Sequence, residues 1–226
     1  MKEMFKTGII LMVYTLIAGL ILGYVYVYTQ DAIKIAELKN TIDAVKFVLT
    51  EDGKLIVDKN KIKDAVVSAS NNPEEELFKA ETSVVVSPVF KFRTNKGNVY
   101  VLKGYGIGYG GKVISVASFL VKENRIDLMA IKVIDYSQET PGLGAKIAEE
   151  VSQKRFYPIP YEGLKNGVKV DKDAGKSNLS PEDAKKIGIV KISDVMTGAT
   201  ITPRAVAATL NAMFEYLQKE VLRNGQ

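Results

Sequence analysis

Apolar residues are distributed unevenly along the chain, with one long uninterrupted run near the N-terminus. No charged residue occurs from Thr7 to Gln30, and Ile9 to Val27 is almost wholly apolar. A helix of about 24 residues is roughly 36 Å long, which exceeds the hydrocarbon core of a bilayer at ~30 Å. A core helix of a soluble domain would keep a polar face, and this run has none. The pattern therefore predicts a transmembrane helix over residues 7–30.

The residues on either side of this run indicate whether it is cleaved as a signal peptide and how it is oriented in the membrane. A cleavable signal peptide is the competing interpretation, but the run is longer than a typical signal-peptide core, and no Ala-x-Ala site precedes Asp31. Lys2 and Lys6 lie on the short N-terminal side, and basic residues favour the cytoplasmic side of a membrane. We therefore expect a single-pass protein of the cell (inner) membrane, with residues 1–6 in the cytoplasm and residues 31–226 in one extracytoplasmic domain.

Beyond the anchor, shorter patterns predict one domain of the mixed α/β class, closer to α+β than to a doubly wound sheet. Period-two alternation and tight turns predict strands at residues 54–57, 84–92, 99–103, 112–121 and 126–134. Helical spacing and capping residues predict helices at residues 32–49, just after Asn72-Pro73, at 145–154, at 181–188 and from 205 to 221. Strand runs joined by tight turns favour a mainly antiparallel sheet with helices packed around it.

Three glycines match the spacing of a dinucleotide-binding loop but not its context. Gly106, Gly108 and Gly111 satisfy G-x-G-x-x-G. That fingerprint requires a helix after the glycines, whereas the residues that follow, 113–120, are strand-like. We therefore interpret the segment as a glycine-rich bend between two strands, which would still let a ligand or a partner approach the backbone.

Composition narrows the chemistry that this chain can perform. The net charge is +5 and the isoelectric point is near 9.1, but the lysines are scattered among acidic residues, so no nucleic-acid surface is expected. The chain has no cysteine and no histidine. Iron–sulfur ligation, disulfides, typical zinc sites and Ser-His-Asp catalysis by its own groups are therefore excluded. We expect no catalytic residue and no metal site, and any redox chemistry would come from a bound cofactor.

Near the C-terminus, the stretch from Asp194 to Thr202 reads DVMTGATIT. Thr202-Pro203 is typical of an N-cap followed by a proline in the first helical turn. Thr200 would then lie just before a helix start, where unpaired N–H groups and the helix dipole favour a phosphate. Gly198 and Ala199 leave room for a bulky group. Taken alone, the string is equally compatible with an ordinary capping loop of small residues.

A second string, Glu139-Thr140-Pro141-Gly142-Leu143-Gly144, is rigid and compact. The proline restricts one φ angle, and the two glycines allow positive φ or close approach of a ligand to the backbone. By itself the string is also compatible with a turn between a strand and a helix.

Together the two strings resemble the motifs of flavoproteins that carry FMN as a phosphoester on threonine. The residues from Glu139 to Lys146 and from Asp194 to Val206 resemble the G subunit of the Rnf electron-transport complex, and the N-terminal anchor also fits. The C subunit of the sodium-translocating NADH:quinone reductase shares both strings and is the first alternative. One departure is that a histidine often precedes ETPGLG in the family, where this chain has Ser137 and Gln138.

The resemblance implies a function and a set of site residues. It implies an FMN held covalently on Thr200 and an electron-relay role in a complex that couples ferredoxin/NAD electron transfer to ion movement. The partners it implies are the other membrane subunits, the lipid bilayer and a flavin transferase that uses FAD as donor. The further flavin-site residues that it implies are Thr197, Gly198, Ala199, Asp194, Glu139, Thr140, Gly142 and Leu143. A flavin-free, membrane-anchored binding or scaffold protein is the alternative from another functional class.

Overall fold

The computed structural model describes residues 2–175 and 178–223 and divides the chain into two units. The first unit ends at Asn40 and the second begins at Thr41. Helix α1 (Lys2–Val48) contains the apolar run and is long and apolar enough to cross a membrane. None of its most apolar 18-residue window is buried, whereas the core helix of a soluble protein would be mostly buried.

The second unit is built on a five-stranded antiparallel sheet. It is preceded by a small hairpin of β1 (Thr50–Glu51) and β2 (Lys54–Leu55) and by helix α2 (Lys59–Ala69). The five strands are β3 (Glu76–Lys79), β4 (Ser83–Thr94), β5 (Gly97–Ile107), β6 (Lys112–Lys122) and β7 (Arg125–Asp135). Each strand pairs with the next one along the chain, so the sheet is a simple meander. The predicted fold class, a mainly antiparallel sheet with surrounding helices, is confirmed.

The chain after the sheet forms short elements and one long helix. Short 3₁₀ segments cover Gly144–Ala148 and Lys154–Phe156, and a π-helical segment covers Gln218–Arg223. The α-helices and strands are α3 (Glu150–Gln153), α4 (Tyr161–Lys165), β8 (Lys169–Val170), α5 (Asp171–Ala174), α6 (Pro181–Lys186), β9 (Ile189–Val190) and α7 (Ile201–Leu217). Strands β8 and β9 pair in parallel.

Both faces of the sheet are covered. Helix α7 packs against β4, β5 and β6 on one face, and its apolar side joins a single core cluster with buried residues such as Leu102 and Phe119. The end of α1 lies on the other face, where the Ser118 hydroxyl donates a 2.6 Å hydrogen bond to the Val48 carbonyl. This packing fixes the start of α7 at one end of the sheet, which is where the candidate site lies.

Two helix predictions are wrong, and in both places tertiary hydrogen bonds explain the difference. The segment after Asn72-Pro73 is extended, because Glu75 exchanges hydrogen bonds with Ser87 of β4 and leads into β3. The helix expected over residues 145–154 is broken at Glu149, which has extended backbone angles. There the Gln153 side chain accepts from the Val133 N–H of β7 and donates to the Ala148 carbonyl, tying this turn to the sheet.

Candidate functional site

Segments that are far apart in sequence meet at one end of the sheet. The glycine-rich bend joins β5 to β6, and the residues after it form strand β6, as predicted. The loop that begins at Glu139 follows β7, and the loop that contains Thr200 leads into α7. Helix α5 supplies a fourth segment through Lys172. Hydrogen bonds between side chains and backbone groups join these four segments.

The Glu139 carboxylate is the main link between these segments. Glu139 is 4% exposed, and carboxylates are rarely buried without partners. One oxygen accepts from the Gly110 N–H at 3.2 Å, and the other accepts from the Thr202 hydroxyl. The glycine-rich bend, the ETPGLG loop and the first turn of α7 therefore share one buried hydrogen-bonded centre.

Two glycines make room for that carboxylate. A Cβ atom built on Gly108 would collide with one oxygen of Glu139, and a Cβ atom on Gly144 would collide with the other. Among the three glycines that mimic a dinucleotide-binding loop, Gly108 thus serves close packing against Glu139.

The expected N-cap at Thr202 is wrong, and the difference matters for Thr200. Helix α7 begins at Ile201, which places Thr200 in the N-cap position. Thr202 is buried inside the first turn, and its hydroxyl donates to Glu139. The Thr200 side chain makes no capping hydrogen bond, so its oxygen is not committed to the helix. The half-buried Thr200 hydroxyl therefore lies at the positive end of a 17-residue helix.

Among the described residues, the Thr200 hydroxyl has one side-chain partner from a distant segment. The Lys172 ammonium donates to Thr200 Oγ1 over 3.0 Å. Both residues border a shallow depression. Its lining residues are Val170, Asp171, Lys172, Ile192, Ser193, Ala199, Thr200 and Pro203.

The two sequence motifs are in contact. Gly198 has a φ of +86°, and a Cβ atom built there would lie 3.5 Å from Cδ2 of Leu143. Leu143 is 44% exposed, and Ile201 on the other side of Thr200 is 43% exposed. Each motif therefore carries one exposed apolar side chain near Thr200, Leu143 through its position beside Gly198 and Ile201 as the next residue in the chain.

The remaining predicted site residues differ in what they contact. Asp194 accepts a 2.6 Å hydrogen bond from Arg155, and the exposed Thr197 hydroxyl donates to the Ser193 carbonyl. The Thr140 carbonyl accepts two backbone hydrogen bonds that close its loop, from the N–H groups of Leu143 and Ala145. Gly142 has a φ of +73°, and a Cβ atom there would meet nothing within 4 Å.

Sequence reasoning missed the charged residues on the other side of Thr200. Arg204 donates to both carboxylate oxygens of Asp173, one of them over 2.7 Å, and this hydrogen bonding lowers the pKa of the Asp173 carboxyl. Asp171 accepts from both the backbone N–H and the hydroxyl of Ser193. No motif marks residues 171–173, which lie in a lysine-rich stretch some thirty residues upstream of the threonine.

Comparison with known proteins finds relatives of this chain. Residues 108–215 match the FMN-binding domain family. The chain is 24% identical over 224 residues to the G subunit of the ion-translocating oxidoreductase complex of Methanosarcina acetivorans, covering 97% of each chain. It is 42% identical to a crystal structure from Thermotoga maritima described as an RnfG subunit of an electron transport complex, with a TM-score of 0.66, covering 79% of this chain and 96% of that one.

The class that fold and site define is therefore that of FMN-binding domain proteins. Within that class the chain belongs to the RnfG family. The matched residues begin within the glycine-rich bend, at Gly108, and include the ETPGLG loop and the Thr200 loop.

Proposed function

We propose that this chain is a membrane-anchored flavoprotein subunit that carries FMN covalently on Thr200 and relays electrons within an ion-translocating oxidoreductase complex. The single observation that carries the proposal is the Thr200 hydroxyl at the N-terminus of α7, uncommitted to capping and hydrogen-bonded to Lys172. The names of the two relatives support the complex.

The residues around Thr200 suit the two ends of FMN. A phosphodiester is an anion, and Lys172 and the α7 N-terminus are the positive groups beside the hydroxyl. The ring is flat, and the exposed side chains of Leu143, beside Gly198, and of Ile201, next to Thr200 in sequence, offer it apolar surface. Bound FMN supplies one- and two-electron redox chemistry, and the protein supplies attachment, orientation and electrostatics.

The location proposed for the site explains why attachment should be covalent. The exposed apolar part of α1 serves as a single membrane anchor, with residues 7–30 in the bilayer. Lys2 and Lys6 favour a cytoplasmic N-terminus, so the domain from residue 31 onward would lie outside the cytoplasm. A cofactor held only by reversible contacts would be lost from that compartment.

The partners follow from the same proposal. A flavin transferase would deliver FMN from FAD, and the other membrane subunits would exchange electrons with this one. We propose ferredoxin and NAD as the redox couple of the whole complex. This chain would act as one redox subunit of a translocase, with no catalysis of its own.

Mass spectrometry of protein matured beside a flavin transferase tests the attachment. The parent protein should retain fluorescence in a denaturing gel and carry one FMN on the peptide that contains Thr200. Thr200→Ala removes the oxygen and should abolish both signals, whereas Thr200→Ser should keep them.

Thr50→Ala is the matched control, because it removes an exposed threonine hydroxyl outside the candidate site, one that donates to the Lys46 carbonyl. It should be labelled like the parent. Denaturation-resistant flavin on Thr200→Ala would place the bond elsewhere, and a parent protein that never takes up flavin would favour a flavin-free anchored scaffold.

A further inference from the structure

The Lys172 ammonium is the polar group that approaches the Thr200 hydroxyl from outside its own loop. It lies 3.0 Å from Thr200 Oγ1 and belongs to α5, which is 28 residues away in sequence. The side chain is exposed, so burial does not force it into this position. Burial therefore does not explain why this exposed lysine is hydrogen-bonded to the Thr200 hydroxyl.

The neighbouring acidic groups already have partners. Two donor nitrogens of Arg204, Nε and Nη2, bind the Asp173 carboxylate, so the guanidinium matches its charge. Asp171 is occupied by the N–H and hydroxyl of Ser193 and by the backbone N–H of Lys172. Among the residues that the structure describes, no carboxylate forms an ion pair with Lys172. The Lys172 ammonium is therefore hydrogen-bonded to Thr200 rather than paired with a carboxylate.

We infer that Lys172 is a positioning residue for flavin attachment, which rests on the proposal that Thr200 accepts FMN. In that transfer Thr200 Oγ1 forms a bond to the FMN-side phosphorus of FAD, the bond between this phosphorus and the bridging pyrophosphate oxygen breaks, and AMP leaves. The hydroxyl proton passes to a base of the transferase or to water. No electron is gained or lost.

The geometry assigns Lys172 a specific part in this step. An ammonium has three donors and no acceptor, so Lys172 cannot be the base that takes the hydroxyl proton. Its donor stabilises the negative charge that grows on Thr200 Oγ1 and on the phosphoryl oxygens during transfer. By fixing the hydroxyl in one rotamer, it also presents the oxygen to the incoming phosphorus. After transfer, its charge is matched by that of the phosphodiester.

The rate of attachment tests this inference. Flavin-free full-length protein in detergent is mixed with purified flavin transferase and FAD, and covalent fluorescence is followed in denaturing gels. Lys172→Met should slow the initial rate by about tenfold to a hundredfold, a loss at or below that of one fixed donor in a closed active site, because Lys172 is exposed. Long incubation should still label it fully, since the nucleophilic oxygen remains.

Two further readouts separate charge from shape. Lys172→Arg keeps the charge and should restore most of the rate. Added salt should slow the parent protein more than Lys172→Met, because part of the parent's advantage is electrostatic. Lys165→Met is the matched control: it removes an exposed lysine of α4 that forms no ion pair among the described residues, and it should behave like the parent.

The outcomes distinguish this inference from the proposed function. Lys172→Met at the parental rate, with Thr200→Ala unlabelled, would overturn the role of Lys172 and leave Thr200 as the site. Lys172→Arg as slow as Lys172→Met would also overturn it, because charge would not be the cause. A parent protein that takes up no flavin would overturn both proposals. Thermal melts establish that each variant is folded. If Lys172→Met does not fold, Lys172→Gln is used in its place.

Discussion

The buried link between Glu139 and Thr202 makes a prediction about stability that the sequence alone could not suggest. Thr202→Val replaces a hydroxyl by a methyl group of nearly the same size. Thr202 is 1% exposed, so water cannot take the place of the lost donor without local rearrangement. One oxygen of Glu139 would keep the Gly110 N–H, and the other would lose its described side-chain donor.

The size of the effect follows from the charge and the burial. A hydrogen bond to a charged group contributes about 1.5–3 kcal/mol, and an unpaired buried acceptor loses most of that. We therefore expect Thr202→Val to lower the free energy of unfolding by about 2 kcal/mol. For a domain of this size, each 1 kcal/mol corresponds to about 2–4 °C, so the melting temperature should fall by about 4–8 °C.

Denaturation followed by circular dichroism measures this in the full-length protein in detergent. Thr197→Val is the control, because it removes an exposed hydroxyl of a neighbouring turn and should change the free energy of unfolding by less than about 0.5 kcal/mol. A double-mutant cycle with Glu139→Gln isolates the pair. In the Glu139→Gln background, Thr202→Val should cost at least about 1 kcal/mol less than in the parent.

Two results would refute this reasoning. One is a Thr202→Val protein as stable as the Thr197→Val control, which would mean that the hydrogen bond contributes nothing net. The other is an equal cost of Thr202→Val in both backgrounds, which would mean that the cost comes from packing rather than from the carboxylate.

Two further predictions concern orientation and the flavin's surroundings. A reporter that is active only outside the cytoplasm, fused after Gln226, should be active, because Lys2 and Lys6 favour a cytoplasmic N-terminus; an inactive reporter on a fully expressed fusion would reverse the topology. Thr140→Val and Gly142→Val should leave attachment at Thr200 intact but shift the flavin midpoint potential by on the order of 20–60 mV, since about 1.4 kcal/mol corresponds to 59 mV for one electron. Unchanged potentials in folded variants would mean that this loop serves architecture or docking.

Local patterns were enough to predict much of the fold. The strands of the β6–β7 hairpin were predicted within a residue or two, because alternating apolar positions and a polar turn determine such a pair without help from the rest of the chain. Helix α6 was predicted for a similar reason, since Ser180 caps it through the Asp183 N–H and Pro181 follows at once. The helix that carries the apolar run of α1 was also predicted from local sequence.

Predictions failed where distant segments compete for the same backbone groups. The segment after Pro73 pairs with β4 rather than forming a helix, because Ser87 offers Glu75 both a donor and an acceptor. Thr202 has the residue type and the following proline of an N-cap, but a buried carboxylate from another loop binds its hydroxyl. The start of α7 therefore lies before Thr202, and Thr200 takes the N-cap position.

Some features of the candidate site could likewise be predicted from the sequence, and others depend on tertiary contacts. The sequence by itself determined the apolar anchor, the two motifs and the absence of cysteine and histidine, because each is a property of residue type and local spacing. Only the tertiary structure decided that Leu143 lies beside the Thr200 loop at Gly198, that Glu139 joins three segments, and that Lys172 is the cation beside Thr200. These contacts join residues that are 28 to 63 positions apart, and only the packing of the chain against its sheet brings such residues together.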